Sequence, residues 1–494
     1  MALSYETWTE RAATVSIPAH MVIDGQGASS ETGATFSNVN PATGTVLAEV
    51  ASGSDADVDR AVRSARRCFE SGVWSRAGVA VRRAAMLAFA DLLEAHREEL
   101  ALLDSLDMGK RVADAHDLDL PFSIDLFRYY AEAIDKINDE VAPTPPGSLA
   151  LVTKVPLGVV GAVVPWNYPV DMLAWKVAPA MAAGCSVVLK PAEQSPSSAI
   201  RIAELACEAG IPPGVLNVVT GLGETAGRAL GLHPDVDCIA FTGSTEVGRL
   251  FLSYAGQSNG KQVWLECGGK SAHVVFGDAD LEAAAANTAM GIWFNQGAVC
   301  SAHSRLLVER SVHAELVERL VAEAARFQPG DPLDPASGMG AIVSVEQTDR
   351  IMGFLSRMGA AGQIRVGGSQ VTLGQSSCFV EPTVVDLVDP TSELGREEIF
   401  GPVLCVVPFD DEDEAISLAN DSAYGLAASV ATTDLGRAHR VADRLHAGTV
   451  TVNGVDAFSA QTPFGGFKAS GFGRDLSLHA MDKYVGLKTT WINY

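Results

Sequence analysis

Three residues of different types carry the groups needed to transform a carbonyl compound. Cys300 ends the sequence NQGAVC, Glu266 lies within LECGGK, and Asn167 is the centre of PWNYP. A thiolate can attack a carbonyl carbon, an amide NH2 can hold the resulting oxyanion, and a carboxylate can activate the water that later cleaves the acyl-enzyme. These are the groups required to oxidise an aldehyde through a thioester, so the sequence indicates an enzyme.

Cys300 has to be weighed against the ordinary role of a free cysteine, which is that of a small buried hydrophobic residue. Cys300 differs from the other cysteines because it follows Gln296 and Gly297, a tight turn after a predicted helix, where a side chain can be presented to a cleft. Efficient attack at neutral pH requires the pKa of the thiol to fall below its free value of about 8.5. No lysine or arginine is adjacent to Cys300 in the sequence. The sequence therefore does not show which group would lower the pKa of this thiol.

Glu266 and Asn167 each have a second interpretation. Glu266 lies among apolar residues and glycines at a predicted strand end, where burial would raise its pKa and suit it to proton transfer near pH 7. The alternative is a salt bridge to Lys270. Asn167 follows a predicted strand in a rigid setting that suits a hydrogen-bond donor, and the alternative there is an Asx-type turn.

The segments that position these residues alternate in type from residue 158 onward, with short β-branched runs between helical patterns. Such βαβ units predict a parallel sheet covered by helices on both faces. The predicted strands are 158–164, 186–189, 215–219 and 238–241, and the helical segments between them are 172–183, 198–209 and 226–230.

Two turns that contain glycine follow strands of this sheet, TGLG at 220–223 and TGST at 242–245. A helix N-terminus at such a turn can receive a pyrophosphate. Gly221, Gly223 and Gly227 are spaced one residue too widely for G-x-G-x-x-G. On local grounds, simple turns and nucleotide binding therefore both stay open.

A second alternation of strands and helices begins after residue 269 and predicts a second α/β domain. Residues 55–133 are largely helical and should pack against the first sheet. Segments 148–155 and 487–494 alternate as exposed strands do, and because lone strands invite pairing with another chain, we expect a homo-oligomer. The elements of the second alternation are predicted at 272–276, 281–294, 305–308 and 314–327.

The composition bears on the class of protein and on its partners. A chain of 494 residues, 47% hydrophobic and 19% charged, predicts two or three compact domains. The net charge of -24 would repel nucleic acid and anionic membrane surfaces. The eight cysteines contain no C-x-x-C pair, no apolar run reaches the length of a membrane helix, and the N-terminus resembles no export signal. We therefore expect a cytoplasmic protein without a metal site.

Seven motifs, in order along the sequence, resemble those of the NAD(P)-dependent aldehyde dehydrogenase superfamily and cover essentially the whole chain. The resemblance implies an α/β fold with a Rossmann-type parallel-sheet cofactor domain, a second α/β catalytic domain and a small β oligomerisation arm. The motifs are PWNYP at 165–169, VLKPAE at 188–193, FTGST at 241–245, LECGGKS at 265–271, NQG through Cys300, EIFGP at 398–402 and PFGG at 463–466. The implied division is 1–136 with 157–268 for NAD binding, 269–470 for catalysis, and 137–156 with 480–494 for oligomerisation.

The resemblance implies that Cys300 is the nucleophile, Glu266 the general base and Asn167 an oxyanion donor. It also implies NAD as the cofactor, and a carboxylate at the ribose-binding position 193 would repel the extra phosphate of NADP. Like charges about 4 Å apart repel by on the order of 4 kcal/mol at an effective dielectric near 20. The implied cofactor residues are Lys190 and Glu193 at the adenosine ribose, Gly243 and Ser244 at the pyrophosphate, Glu398 at the nicotinamide ribose with Phe400 beside it, and Trp166, Gly223 and Phe241.

Within the superfamily, the chain most resembles the γ-glutamyl-γ-aminobutyraldehyde and related ω-aminoaldehyde dehydrogenases, through YAEAIDK at 130–136, NDS at 420–422 and SLHA at 477–480. Acidic residues near the tunnel mouth would attract an amino or guanidino group; the alternative is that they are solvated carboxylates capping helices or loops. By family position the tunnel is lined by Tyr168, Asp171, Met172, Trp175, Phe294, Phe458 and Phe464, with Asp117, Asp119 and Asp456 near its mouth.

Three other functions fit a chain of this kind: a broad-specificity dehydrogenase of aliphatic and aromatic aldehydes, a CoA-acylating semialdehyde dehydrogenase, and a non-catalytic structural relative. Glu266 as a water-activating base argues against the second, and the joint presence of the three catalytic residue types argues against the third. The chain departs from the usual family pattern at Cys267 and Ala272, which replace Leu and Pro, and at Ala302 and His303, which follow the nucleophile where a glycine is common. These departures bear on loop conformation.

Overall fold

The structure, a computed structural model, describes residues 3–494. Its strands are β1 (Met21–Ile23), β2 (Gln26–Ala28), β3 (Thr35–Asn40), β4 (Thr45–Ala51), β5 (Glu140–Ala142), β6 (Ser148–Pro156), β7 (Val159–Val163), β8 (Ser186–Lys190), β9 (Leu216–Val218), β10 (Cys238–Gly243), β11 (Gln262–Cys267), β12 (Ala272–Val275), β13 (Arg305–Glu309), β14 (Gln363–Val366), β15 (Gln370–Leu373), β16 (Ser376–Val380), β17 (Thr383–Asp386), β18 (Val403–Phe409), β19 (Ala427–Ala431), β20 (Thr449–Val452), β21 (Gly471–Phe472) and β22 (Val485–Asn493).

The α-helices are α1 (Tyr5–Ala12), α2 (Asp55–Ser71), α3 (Val79–Ala95), α4 (Arg97–Met108), α5 (Val112–Asp114), α6 (Leu120–Ala133), α7 (Pro169–Ala183), α8 (Ser197–Glu208), α9 (Arg228–Leu232), α10 (Thr245–Gln257), α11 (Leu281–Trp293), α12 (His313–Glu323), α13 (Val345–Arg357), α14 (Glu393–Arg396), α15 (Glu412–Asn420) and α16 (Leu435–Arg444). Short 3₁₀ and π-helical turns separate or extend several of them.

The first sheet has the strand order β2-β1-β9-β8-β7-β10-β11-β21, and its central strands β9, β8, β7, β10 and β11 are parallel. Successive residues of β7 belong to different hydrophobic clusters: Val160 packs with helices α3, α6, α7 and α8, and Val159 packs with α2 and α10. Alternate side chains of a strand point to opposite faces, so both faces of this sheet are covered by helices. The expectation drawn from the βαβ pattern is confirmed.

The second sheet has the order β14-β17-β18-β13-β12-β19-β20 and is parallel except for the edge strand β14. Its two faces are also buried in separate clusters, with Val274 in one and Val275 in the other. The predicted helix 314–327 is an α-helix only to Glu323 and continues as a 3₁₀ turn to Phe327. The α/β fold with two sheets that alternate with helices, expected from the sequence, is confirmed.

A third, small sheet has the order β22-β6-β5 and is antiparallel. Its longest pairing joins the two segments that the sequence marks as exposed strands, with Val485 opposite Pro156 and Asn493 opposite Ser148. Strand β22 keeps large apolar side chains in solvent, with Leu487 70% exposed and Trp491 54% exposed. The two segments thus pair with each other, and β22 forms an edge of the sheet.

Strand β21 returns the end of the chain to the edge of the first sheet, where Gly471 pairs with Glu266. Gly471 has a φ of 100°, and a Cβ there would overlap the backbone of Leu265, so a residue without a side chain is required. The contact covers β11 and buries the strand that carries Glu266. None of the helices in residues 3–494 has the length and apolarity that a membrane span requires.

Candidate active site

A cavity of about 1130 Å³ lies where the carboxyl ends of strands β7, β10 and β11 face the loop after helix α11. Ligand sites of parallel α/β sheets typically occupy such a crevice. The cavity brings together most of the residues predicted from the sequence. These lining residues are Asp117, Asp119, Trp166, Asn167, Tyr168, Asp171, Met172, Trp175, Gly243, Ser244, Glu266, Phe294, Cys300, Glu398, Phe400, Asp456, Phe458 and Phe464.

Four residues predicted to bind the cofactor, Lys190, Glu193, Gly223 and Phe241, are not among the lining residues of this cavity. Lys190 ends β8, beside β7, and its Nζ donates to Glu193 Oε2 at 3.0 Å. Gly223 begins a π-helical turn that follows β9. Phe241 is buried in β10 beneath the turn at Gly243, where a Cβ would meet its ring. Lys190 and Gly223 therefore lie along the same carboxyl edge of the sheet, beyond the cavity.

Cys300 is presented by a loop with unusual backbone conformation. Asn295, Gln296 and Gly297 have consecutive φ values of 48°, 56° and 72°, all in the left-handed region. The loop is held by side chains: Gln296 donates to the Ala341 carbonyl at 3.1 Å, and Asn295 Nδ2 donates to the Asn167 carbonyl at 2.9 Å. These hydrogen bonds offset the cost of the strained backbone conformation. Strained conformations of this kind are typical of functional sites. The tight turn expected before Cys300 is confirmed.

Gly297 provides a direct test of this loop, because a Cβ there would overlap the Gly401 carbonyl and the left-handed φ would be strained. We expect Gly297→Ala to destabilise the protein by about 1–3 kcal/mol and to lower kcat/KM by about 10²-fold through displacement of Cys300. Thermal unfolding and steady-state kinetics measure both effects. Gly256→Ala on helix α10, with open space around its Cβ position, is the control: it should not lower stability, because alanine is the better helix former, and should leave kcat/KM unchanged.

Asn167 is 4% exposed, and its Nδ2 donates to the Ala298 carbonyl at 2.8 Å, two residues before Cys300. A carboxamide nitrogen carries two hydrogens, so one is fixed by this bond and the second is free for another acceptor. The same Ala298 carbonyl accepts from Asn295 Nδ2 at 3.1 Å. The amide of Asn167 is thus oriented beside Cys300 with one N–H available to a substrate oxygen.

Glu266 is 3% exposed, and neither of its carboxyl oxygens has a hydrogen-bond partner among residues 3–494. The alternative salt bridge to Lys270 is wrong, since the Lys270 Nζ is also buried without a partner in this part of the chain. Burial raises the pKa of Glu266 to about 8, with the positive charge of Lys176 acting in the opposite direction. A carboxyl with such a pKa exchanges protons readily near neutral pH.

The thiol of Cys300 has its pKa raised well above the ordinary value, first by burial and then by the negative charge of Glu266. The two groups also act on each other, since their proximity lowers the pKa of Glu266 and raises that of Cys300. Both groups therefore keep their protons to a higher pH than usual, and the Glu266 carboxyl could serve as a base once it is ionised. The largest influences on the pKa of Cys300 all raise it: burial first, and then the negative charges of Glu266, Asp456 and Glu398.

The residues at the other end of the cavity fit a dinucleotide. Ser244 caps helix α10 and accepts the Val247 N–H at 3.3 Å, which leaves the first amides of a 13-residue helix for an anion. Glu398 Oε1 accepts the Gly269 N–H at 2.9 Å, and burial raises the pKa of Glu398 to about 7. Trp166 and Phe400 meet edge to face at 5.3 Å. Donors, an acidic acceptor and flat apolar surfaces are the partners that a nucleotide requires.

Two residues that support this end were not predicted from the sequence. Gln347 Nε2 donates to the Phe400 carbonyl at 2.8 Å, and an Arg350 guanidinium N–H donates to the Glu398 carbonyl at 3.0 Å. Both lie on helix α13, distant in sequence from the 398–400 motif. Their types alone give no signal of this role, because surface helices commonly carry Gln and Arg.

The substrate end of the cavity is walled by aromatic rings. Trp175 contacts Phe464 with ring centroids 5.2 Å apart and Phe458 at 5.9 Å. Phe122, which was not predicted, contacts Phe458 at 5.4 Å. Phe122 lies on helix α6, in a segment whose apolar residues are spaced as in a helix that packs against a core. The sequence therefore could not distinguish a core residue from a residue of the substrate tunnel.

The acidic residues of this end differ in their partners. Asp119 forms an ion pair with the buried Lys110, and Asp171 accepts a hydrogen bond from Ser123. Asp117 is 57% exposed and contacts the ring of its neighbour His116. Asp456 lines the cavity, and burial raises its pKa to about 7. A lysine thus balances the charge of Asp119, and the alternative role as solvated loop carboxylates applies best to Asp117.

Residues 28–490 match the aldehyde dehydrogenase family. The chain is 49% identical over 487 residues to NADP/NAD-dependent aldehyde dehydrogenase PuuC of Escherichia coli, with 98% of each chain covered. It is 50% identical over 494 residues to an aminoacetaldehyde dehydrogenase of Pseudomonas aeruginosa, with 99% of each covered.

Solved structures superpose closely over the same length. Indole-3-acetaldehyde dehydrogenase AldA of P. syringae, bound to NAD+, superposes with a TM-score of 0.98 at 49% identity, and all of each chain is covered. A γ-glutamyl-γ-aminobutyraldehyde dehydrogenase from Burkholderia cenocepacia superposes with a TM-score of 0.97 at 50% identity, covering 99% of this chain and 100% of the other. The fold class predicted from the sequence is confirmed.

Proposed function

The chain belongs to the aldehyde dehydrogenase family, and on this premise we propose that it oxidises an ω-amino or γ-glutamylamino aldehyde to the carboxylic acid with NAD. The observation that carries the proposal is the meeting of Cys300, Glu266 and Asn167 in one cavity with an acidic, aromatic substrate end. A thiol, a base and an amide donor placed together support covalent catalysis through a thioester.

The first half of the cycle forms a covalent bond to Cys300. The thiol of Cys300 gives up its proton to water, and the resulting thiolate attacks the carbonyl carbon of the aldehyde. The free N–H of Asn167 stabilises the oxyanion that forms. The chemistry that NAD supplies when bound is the acceptance of the hydride from this carbon. A thioester on Cys300 remains.

The second half returns the enzyme to its starting state. Glu266, in its ionised form, takes a proton from a water molecule, and the hydroxide attacks the thioester carbon. The C–S bond breaks, the carboxylic acid leaves, and the side chain of Cys300 is again a free thiol or thiolate. The buried position of Glu266, without a hydrogen-bond partner in residues 3–494, supports its use as the base toward water.

NAD is proposed over NADP because of Glu193. Glu193 follows the carboxyl end of strand β8, and its carboxyl oxygen Oε2 lies 3.0 Å from the Lys190 ammonium. A carboxylate that binds ribose hydroxyls would repel the 2'-phosphate of NADP. Solved relatives bound to NAD+ support the same cofactor, and the name of the E. coli relative includes both cofactors.

The proposed substrate class rests on relatives that act on aminoaldehydes and on the carboxylate of Asp456 in the cavity. We expect kcat/KM for 3-aminopropanal to exceed that for butanal, which carries a methyl group in place of the ammonium, by at least about tenfold. Asp456→Asn should remove most of this preference and leave kcat/KM for butanal within about twofold. Steady-state NADH formation with both aldehydes measures it.

A dehydrogenase of broad or aromatic specificity is the second candidate. The aromatic wall of Trp175, Phe458 and Phe464 and the similarity to indole-3-acetaldehyde dehydrogenase AldA favour it. Equal kcat/KM for 3-aminopropanal and butanal, or faster turnover of butanal, would support this candidate and reject the aminoaldehyde.

The division into domains, 1–136 with 157–268, 269–470, and 137–156 with 480–494, is also proposed. The first sheet takes its parallel strands from residues 159–267, the second from 272–452 and the small sheet from 140–156 and 485–493, which supports these boundaries. Residues 471–472 return to the first sheet.

A cytoplasmic location is proposed as well. The eight cysteines are all free thiols, which supports a reducing, cytoplasmic setting.

A homo-oligomer formed through the small sheet is proposed from its exposed edge. Strand β22 presents Leu487 and Trp491 to solvent beside unpaired backbone groups, and such an edge invites pairing. Light scattering should give a mass that is a multiple of the single chain, and Trp491→Glu should lower it. A single-chain mass for the unaltered protein would reject the proposal.

A further inference from the structure

Two histidines that the proposed mechanism does not use are buried side by side behind the substrate end of the cavity. His303, in the loop after Cys300, is 1% exposed, and His273 on β12 is fully buried. Their rings meet edge to face with centroids 6.1 Å apart. His273 Nδ1 is hydrogen-bonded to Thr288 Oγ1 at 2.8 Å. Neither ring nitrogen of His303 has a hydrogen-bond partner within residues 3–494, which is costly for a buried polar group.

The polar group that faces His303 is the carboxyl of Asp456. Its Oδ1 lies 4.0 Å from His303 Nδ1, just beyond hydrogen-bond distance, and is likewise without a partner in the described chain. Asp456 has a φ of 47°, in the left-handed region that aspartate adopts more readily than most residues. Its carboxyl lines the cavity and its charge acts on Cys300 and Tyr168. The carboxyl of Asp456 is therefore between the reacting centre and His303.

His303 is fixed in this place by its backbone and by a glycine. The His303 N–H donates to the Gly291 carbonyl on helix α11 at 2.8 Å. A Cβ at Gly291 would be 3.3 Å from His303 Cβ and Nδ1 and 3.4 Å from the Val455 side chain. The absence of that Cβ lets the imidazole fill the space between α11 and the loop that carries Asp456.

The neighbours of Asp456 set it apart from the other acids of the cavity. Lys110 balances the charge of Asp119. Asp456 is faced by the hydroxyl of Ser301, which lowers its pKa, and by His303. Burial lowers the pKa of His303 to about 4, with the backbone of Ala428 acting in the opposite direction, so the imidazole is uncharged at neutral pH. When it is ionised, the Asp456 carboxyl therefore has no cationic side chain in residues 3–494 paired with it, and its charge can attract a cationic substrate.

We propose that His303 is a positioning residue that holds the Asp456 carboxyl toward the cavity and so favours aldehydes with a cationic group. A neutral imidazole can accept a hydrogen bond from a protonated carboxyl and, as the other tautomer, donate one to a carboxylate. The 4.0 Å between Asp456 Oδ1 and His303 Nδ1 is short enough for a small side-chain rotation to bring the two atoms to hydrogen-bond distance. This inference rests on the proposed function, because it deepens the account of the same substrate site.

The first test measures Asp456 itself and needs no substrate. Difference infrared spectra of protein carrying ¹³C-labelled aspartate, with Asp456→Asn as reference, give the pH midpoint at which the Asp456 carboxyl ionises. We expect a midpoint near 7. Because His303→Phe removes the donor at similar volume, the midpoint should rise by about one pH unit, equivalent to a tenfold change in proton affinity. The matched variant His273→Phe should leave it unchanged.

The second test separates positioning from a merely structural role. In His303→Phe, the ratio of kcat/KM for 3-aminopropanal to that for butanal should fall about tenfold, with butanal itself changed less than twofold. His303→Asn should restore the ratio, because its amide nitrogen occupies the position of Nδ1. Should His303→Phe fail to fold, His303→Ala serves the same comparison.

The outcomes of the two tests differ for the two ideas. A midpoint that does not move in His303→Phe, or that moves equally in His273→Phe, overturns the role of His303. Equal losses for both aldehydes assign His303 to structure and overturn it too. If the unaltered enzyme shows no preference for 3-aminopropanal, the proposed substrate class fails, and the infrared midpoint still decides whether His303 acts on Asp456.

Discussion

Replacement of Cys300 by alanine is expected to abolish aldehyde oxidation, with kcat reduced by about 10³-fold or more, because the covalent bond to substrate can no longer form. The sulfur lies in the cavity beside Glu266 and near the oriented amide of Asn167. Cys300→Ser should be nearly as inactive, since a buried hydroxyl is a far weaker nucleophile than a thiolate. NADH formation in the steady state and in a single turnover measures the loss.

The control for this prediction is another cysteine of the same chain. Cys207 is partly exposed, lies on helix α8 and does not line the cavity. Cys207→Ser should keep kcat within about twofold of the unaltered enzyme. Mass spectrometry during turnover should find the acyl group on the peptide that contains Cys300. Full activity in Cys300→Ser would contradict the thioester mechanism.

Glu266→Gln is expected to separate the two halves of the reaction. The amide is similar in size and cannot accept the proton of water, so hydrolysis of the thioester should slow by about 10²–10⁴-fold. Cys300 can still be acylated at a pH where some thiolate forms, and a stoichiometric burst of NADH should therefore precede the slow steady state. Rapid-mixing absorbance gives the burst amplitude. An absent burst in a correctly folded variant would reject this division of roles.

The same residue sets a pH dependence. Burial raises the pKa of Glu266 to about 8, and only its ionised form takes a proton from water. The steady-state rate of the unaltered enzyme should therefore rise with pH through about 8 when thioester hydrolysis is rate-limiting. In Glu266→Gln this limb should be missing. Glu397→Gln, at the rim of the same cavity, is a useful comparison for the loss of one acidic side chain.

Much of the architecture was available from local sequence. The alternation of β-branched runs and helical patterns predicted the first parallel sheet and a second α/β domain, because the period of apolar residues is set by the geometry of each element. The exposed strands 148–155 and 487–494 were recognised by their alternation, but their pairing with each other joins the middle of the chain to its end. No local pattern specifies such a partner.

The sequence by itself determined which groups this protein brings to its chemistry: Cys300, Glu266 and Asn167 stand in motifs that can be read one at a time. Tertiary structure decided the state of those groups. It left Glu266 without Lys270, kept the proton on the Cys300 thiol, and paired Asp119 with Lys110 while leaving Asp456 beside a neutral imidazole. The physical reason is that pKa and hydrogen bonding depend on burial and on neighbours in space, and for Cys300 and Asp456 those neighbours come from distant parts of the chain.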